Sequence, residues 1–282
     1  MKVKMRIIGI LGKDNAAWHI VDGNTQIRAF ETSALNPVNS TSIEPSKILS
    51  LEVMDKLPQE IATVILYCTE MDQRGRISLE EALIQHFDCP IEIHDYHQGL
   101  ACSICGSTQG VVAVVEETST ACLYNGQSIT HTIPSLGYIH GDHGSSTVLG
   151  ARFISALLSH RLPTDLSESF YRNYGVNHGF LMANVKKEPL SPEFLHTIAW
   201  KFIFPHREDP AIESLIRTSC VDFLSHSVLP LTDTLPVHFI GEMTSFYGST
   251  LYSICHNLGI NIGTVSSNAK DLLLSSYVNH VV

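Results

Sequence analysis

Basic residues are scarce: 18 Lys and Arg stand against 28 Asp and Glu in 282 residues, a formal net charge of −10. A partner made of nucleic-acid phosphates or anionic lipid is normally met by a basic patch, so neither nucleic acid nor a membrane surface is an expected partner. Long apolar runs are also missing from the start of the chain. Met1-Lys2-Val3-Lys4-Met5-Arg6-Ile7-Ile8 leads into a stretch broken by Gly9, Gly12, Lys13 and Asp14, too short for a signal h-region or a membrane span. A cytoplasmic protein is expected. The regular spacing of a disulfide framework is absent as well. Seven cysteines, an odd number, are scattered in apolar contexts and read as buried free thiols. Cys102 and Cys105 have C-x-x-C spacing, but no second pair stands at ligand spacing, and the 15 histidines form no H-x-x-x-H array. Core packing is the preferred reading, and no metal site is expected. What the chain does have is apolar mass: 44% hydrophobic and 16% charged residues support a large core, in one long domain or two ordinary ones, and exclude disorder.

The pattern of elements is that of an α/β protein. Strands are expected at Met5 to Ile10, Ala17 to Val21 and Thr25 to Phe30, with Asp22-Gly23 as a type I′ hairpin signal. About a hundred residues later the pattern recurs at Gly110 to Val115, Thr120 to Tyr124 and Gln127 to His131, around Asn125-Gly126. A helical stretch follows each trio, at Ile43 to Lys56 and at Ser146 to Ser159. Further elements are a strand at Ile61 to Tyr67, a helix at Arg76 to His86 and a strand at Ile91 to His94. Beyond them come helices at Ser191 to Phe202 and Glu213 to Leu229, the first with Ser191 as cap and Pro192 at its first position, and a strand at Val237 to Gly241. Two duplicated units in tandem result, expected as residues 1–100 and 101–282, with the last helix packing back on the first unit. A cleft between two such lobes favours a small-molecule ligand there.

The segment Pro134-Ser135-Leu136-Gly137-Tyr138-Ile139-His140-Gly141-Asp142-His143-Gly144-Ser145-Ser146-Thr147-Val148-Leu149-Gly150 resembles the P-x-L-G-Y-x-x-G-D-E-G-S-G-x-x-L-G signature of the N-acetylglucosamine kinase and BadF/BadG-type ATPase family. Leu35-Asn36-Pro37, Ile93-His94-Asp95, Cys122 to Gly126 and Val237 to Gly241 extend the likeness over most of the chain. The resemblance implies the two-lobed actin-like ATPase fold, a duplicated ribonuclease H-like plan. It also implies ATP and Mg as cofactors and an amino-sugar or related small molecule as acceptor. Members of this superfold often dimerise, so a homodimer, or a heterodimer with an intact homologue, is a further implied partner.

Site residues follow from the resemblance one by one. Asp95 stands at the general base, although its place before Tyr96-His97-Gln98 equally suits a helix N-cap. Asn36 stands at a sugar contact, although Asn-Pro is also a turn pair. Asp142 and His143 stand in the G-D-E-G turn, where His143 replaces a carboxylate with a group that can donate. Gly12, Lys13, Ser119, Gly144 and Gly241 stand in the nucleotide loops. Those loops depart from the pattern. Aligned on Trp18, the metal-linked Asp of D-x-G-x-T is Ile10, and aligned on Cys122 the G-T-G-S-N loop is Glu116-Glu117-Thr118-Ser119-Thr120. Glu242 replaces the small Ser after Gly241, and Tyr67-Cys68-Thr69-Glu70 replaces a Y-G-A-G sugar loop. Glycine lets a backbone approach an anion without an intervening side chain. The expectation is therefore a non-catalytic homologue that keeps part of a sugar pocket. An active amino-sugar kinase with Asp95 as base is the alternative, and a structural subunit paired with an intact kinase is a third possibility.

Overall fold

The computed structural model describes residues 5–12, 15–23, 25–35, 44–69, 73–232 and 234–279. The chain divides into two compact units, residues 1–106 with 270–282, and residues 107–269.

In the first unit β1 (Met5–Leu11) is apolar along both faces and buried over its last five residues, as suits a central strand. β2 (Asn15–Asp22) and β3 (Thr25–Ser33) run antiparallel beside it, and Gly23, with φ +53, takes the left-handed conformation that the hairpin signal requires. β4 (Ile61–Cys68) and β5 (Ile91–Asp95) add in parallel on the other side, giving the order β3-β2-β1-β4-β5. Between them come α1 (Pro45–Ile48), continued by a π-helical turn (Leu49–Val53) and a 3-10 turn (Met54–Lys56), and α2 (Gln73–His86). α3 (Tyr96–Cys105) follows β5 without a break. The core holds Ile7, Trp18, Leu49, Leu66, Leu79 and Leu83, and the Trp18 indole N–H donates to Thr32 Oγ1 at 3.0 Å.

The second unit repeats this plan. β6 (Gly110–Val115), β7 (Ser119–Tyr124) and β8 (Ile129–Ile133) are antiparallel, and β9 (Val237–Ile240) and β10 (Ile262–Ser266) add in parallel, so the order β10-β9-β6-β7-β8 mirrors that of the first sheet. Its helices are α4 (Ser146–Leu158), α5 (Thr164–Tyr174), α6 (His178–Lys187), α7 (Pro192–Ile198), α8 (Pro210–Phe223), α9 (Met243–Tyr247) and α10 (Ser249–Leu258). Ser191 caps α7 as expected, its Oγ accepting from the Phe194 N–H at 3.3 Å. The core centres on Phe153, Phe170 and Phe202, whose rings lie 5.2 Å apart in each pairing. α11 (Ala269–Asn279) closes the chain; its buried Leu273 lies beside Gly99, and Lys270 Nζ stands 3.9 Å from Glu31 Oε1.

Several elements differ from the sequence expectation. α5, α6 and β10 lie outside the sequence expectation; α5 is amphipathic and buries Leu166 and Phe170, α6 buries only Leu181, and β10 is a run of five residues. The expected helices at 191–202 and 213–229 are instead α-helices that pass into π-helical turns at Ala199–Ile203 and Leu224–Val228. Among the described residues no helix is long and apolar enough to cross a membrane. All seven cysteines are free thiols, but the expected burial holds for five: Cys89 is half-buried and Cys102 is exposed.

Candidate functional site

In the first unit the candidate residues gather at the carboxyl ends of the parallel strands, where open α/β sheets place their ligands. Leu11 pairs with Cys68, and Cys68 with Asp95, so the ends of β1, β4 and β5 stand in one row. The Thr69 backbone N–H and hydroxyl both donate to the Leu11 carbonyl at 3.2 Å, and the Gly12 N–H donates to the Asn15 carbonyl at 2.9 Å, closing the β1–β2 turn. Ile10, at the position of the metal-linked carboxylate, is buried. Tyr67 lies with its ring against Gly99 of α3 and 5.8 Å from the His94 ring. Burial pushes the Cys68 thiol up to about 12, Arg76 opposing and Asp95 adding to the rise. Lys13 and Asn36 lie outside the described residues, as does Glu70.

Asp95 is exposed, and its Oδ1 accepts from the Gln98 N–H at 2.8 Å, making it the N-cap of α3. Both roles open to it in the sequence are geometrically compatible, because a cap needs one oxygen. Asp95→Ala is expected to cost about 1 kcal/mol of stability, and Asp95→Asn, which keeps the accepting oxygen, less than about 0.5 kcal/mol, as read by denaturant unfolding.

In the second unit the turn Glu116-Glu117-Thr118 joins β6 to β7, with Ser119 buried at the start of β7. The Glu116 N–H donates to the Thr118 carbonyl at 2.8 Å. The carbonyls of Glu116 and Glu117 accept from the Ser146 N–H at 3.0 Å and the Thr147 hydroxyl at 2.7 Å, which stitches the turn to the first residues of α4. Gly241, at the end of β9, has φ +110, and a Cβ there would lie 2.4 Å from the Val115 carbonyl oxygen and 2.5 Å from Glu116 Cγ. Glycine is required at 241 both by its conformation and by the Glu116 side chain standing against it.

The neighbouring Glu242 is held from α7 and the turn after it. Its Oε1 accepts from the Trp200 indole N–H at 3.2 Å and lies 3.7 Å from His196 Nδ1, and the same His196 nitrogen is 2.7 Å from Ser146 Oγ. His196 and Trp200 are not legible as site residues in the sequence, since they sit 50 and 42 positions from their partners Ser146 and Glu242.

Asp142 is buried in the left-handed conformation (φ +50), which an aspartate tolerates better than most residues. Its Oδ2 accepts from the Ser135 hydroxyl at 3.0 Å and its Oδ1 from the Leu136 N–H at 3.1 Å, folding the 134–142 loop on itself. His143 follows, stacked on His226, and Gly144 packs on Phe223 while its carbonyl accepts from the Tyr247 hydroxyl. The Glu116–Glu117 turn, with Gly241 against it, is thus tied to the first residues of α4, and Asp142, His143 and Gly144 lead into that helix, while Ser119 lies at the start of β7. Among the described residues no group of three or more His, Cys, Asp and Glu could hold a metal ion.

Two mixed sheets of identical strand order define this protein as a member of the actin-like ATPase superfold, in its sugar-kinase branch. The chain is similar to the crystal structure of a candidate N-acetylglucosamine kinase from Porphyromonas gingivalis, at 32% identity and a TM-score of 0.86, covering 99% of this chain and 100% of that one. It belongs to that N-acetylglucosamine kinase-like family. A second candidate N-acetylglucosamine kinase, from Chromobacterium violaceum, shares the fold at 16% identity and a TM-score of 0.71, covering 98% of this chain and 99% of that one. A glucokinase of the ROK family from Streptomyces griseus, solved with glucose and AMPPNP, shares it at 10% identity and a TM-score of 0.57, covering 97% and 98% of the two chains. No family model matches the sequence, and no curated protein matches it.

Proposed function

We propose that this chain is a sugar-kinase-fold protein that does not transfer phosphate and retains part of a sugar pocket. The observation that carries the reading is the placement of Glu116: its backbone N–H is spent on Thr118, and its side chain stands against Gly241. A phosphate loop must instead offer unengaged N–H groups and a bare backbone surface. Buried Ile10 supports the same reading, because an alkyl side chain cannot hold a metal through its water shell. The residues present do not fit Mg-ATP.

The acceptor side is better kept. Asp95 ends β5 exposed, and Asp142 holds a built turn, so an amino-sugar or related hexose derivative is the proposed ligand class. A coupled ADP-release assay with N-acetylglucosamine, glucosamine and N-acetylmuramic acid is expected to stay flat at high enzyme concentration. Turnover abolished by Asp95→Ala would overturn the reading. It would establish the second one, an active amino-sugar kinase, which the exposed carboxylate of Asp95 at a strand end favours.

A further inference from the structure

His143 and His226 form a stacked pair, ring centroids 4.2 Å apart and planes inclined by 24°. His143 lies in the Gly141–Ser145 turn that leads into α4, and His226 lies in the π-helical turn that continues α8. His226 Nδ1 is a donor to the Asp222 carbonyl at 2.8 Å, which fixes its tautomer. His143 Nδ1 is buried and has no hydrogen-bond partner among the described residues. The charged groups facing His143 come from each element packed on it. They are Arg152 of α4, Asp222 of α8, which Arg152 Nη2 meets at 2.5 Å, His226 itself, and Asp142 of its own turn.

We propose that the His143–His226 stack is an acid-sensitive joint that unlatches the Gly141–Ser145 turn, at the entry to α4, from α8. A neutral imidazole tolerates a buried Nδ1 without a partner as an unused acceptor. A protonated ring must place an N–H there with nothing to receive it, and must place its charge against a second imidazole and the Arg152 guanidinium. Burial first, then His226 and Arg152, hold His143 below its ordinary value of 6.5, against the opposing pull of Asp222 and Asp142. Because the folded value is lowered, the contribution of this joint is complete above the ordinary imidazole range and is lost as pH falls through the lower folded value. The turn has no slack to absorb the change. Gly144 packs on Phe223, one residue past Asp222, and its carbonyl is bonded to Tyr247, so separation of the rings is transmitted to both. The joint operates whether or not the unit takes a nucleotide.

The test uses the full chain. Amide hydrogen exchange, corrected for intrinsic rates, is compared between about pH 7.5 and about pH 5, the range in which imidazoles titrate. The reporters are the Ser145 and Ser146 N–H groups, which donate to the Asp142 and Glu116 carbonyls. Their exchange is expected to be roughly tenfold faster at the lower pH in the parent protein, and unchanged by pH in His143→Gln. In parallel, the His143 ring is titrated by proton NMR. Its midpoint is expected below the ordinary value and is expected to rise in His226→Phe, which keeps a stacked ring and removes the charge. An unshifted His143 midpoint in the parent protein would overturn the proposal. An acid response that survives in His143→Gln would do the same, and the His143 midpoint in His226→Phe decides the matter alone should His143→Gln not fold.

Discussion

Mg-ATP at about 1 mM is expected to leave the melting temperature of this protein unchanged to within about 1 °C. A nucleotide bound at a dissociation constant of about 0.1 mM would add roughly 1.4 kcal/mol at that concentration, which raises a melting temperature by about 2–3 °C for a chain of this size. One carboxylate about 5 Å from one phosphate charge, at an effective dielectric of about 20, costs on the order of 3 kcal/mol, a hundredfold or more in affinity. Glu116 alone then moves the dissociation constant to about 10 mM or beyond, and the stabilisation falls below detection. Replacing the turn by Glu116→Gly, Glu117→Thr and Thr118→Gly removes both carboxylates and uncovers Gly241. This variant is expected to regain a measurable part of the rise, short of the full amount because Ile10 still offers the metal nothing. A rise of about 2–3 °C in the parent protein would remove the basis for a non-phosphorylating function.

The largest expected loss of stability comes from a single methyl group. A Cβ on Gly150 of α4 would lie 2.2 Å from the Leu195 carbonyl oxygen and 2.8 Å from its carbon, where α7 crosses. These are backbone atoms that no rotamer change can withdraw, so Gly150→Ala must push the two helices apart over the core built on Phe153 and Phe202. Overpacking of this kind costs about 3 kcal/mol or somewhat more. Thermal unfolding should show a drop of roughly 6–12 °C at the usual sensitivity for units of this size. Gly179→Ala in α6 is the control. The nearest atom to its added Cβ is 3.5 Å away, and the substitution is expected to be neutral or to stabilise by up to about 1 kcal/mol. If both variants melt alike, the close approach of α4 to α7 is not as described. The last glycine of the Pro134–Gly150 segment is thus explained by helix packing alone.

The elements that are readable in the sequence are those with a strong local signal. β6 is an unbroken apolar run and β1 is one after Arg6, Asp22-Gly23 is a turn pair, and Ser191-Pro192 is a cap followed by proline; each depends on neighbours within a few residues. The order of strands in each sheet is set by long-range pairing, and the recurrence of strand patterns suggests two similar units without fixing it. α6 escapes a sequence reading because a helix that buries one residue leaves almost no period to detect, whereas α5 is amphipathic, with Leu166 and Phe170 on its buried face, and is legible in principle. At the site, the placement of Glu116 in a turn is legible from the hairpin that follows it. Its contact with Gly241 is not, because β9 meets β6 only after the long helical insertion. Likewise, Glu242 reads from sequence as one more bare anion, whereas the fold gives it the Trp200 indole N–H and brings it near His196. The C-x-x-C of Cys102 and Cys105 reads from the sequence as core packing, and this holds for Cys105 alone: α3 carries the two thiols one turn apart, Cys105 buried and Cys102 exposed.

α11 assigns residues 270–282 to the unit that residues 1–106 begin. During synthesis, therefore, the first sheet can form while the place beside Gly99 that Leu273 fills remains open. At about 5–20 residues per second, the ribosome needs on the order of ten to thirty seconds to make the intervening second unit before α11 emerges. For that interval the place beside Gly99 lacks its Leu273, so the first unit is completed only after the second has been made.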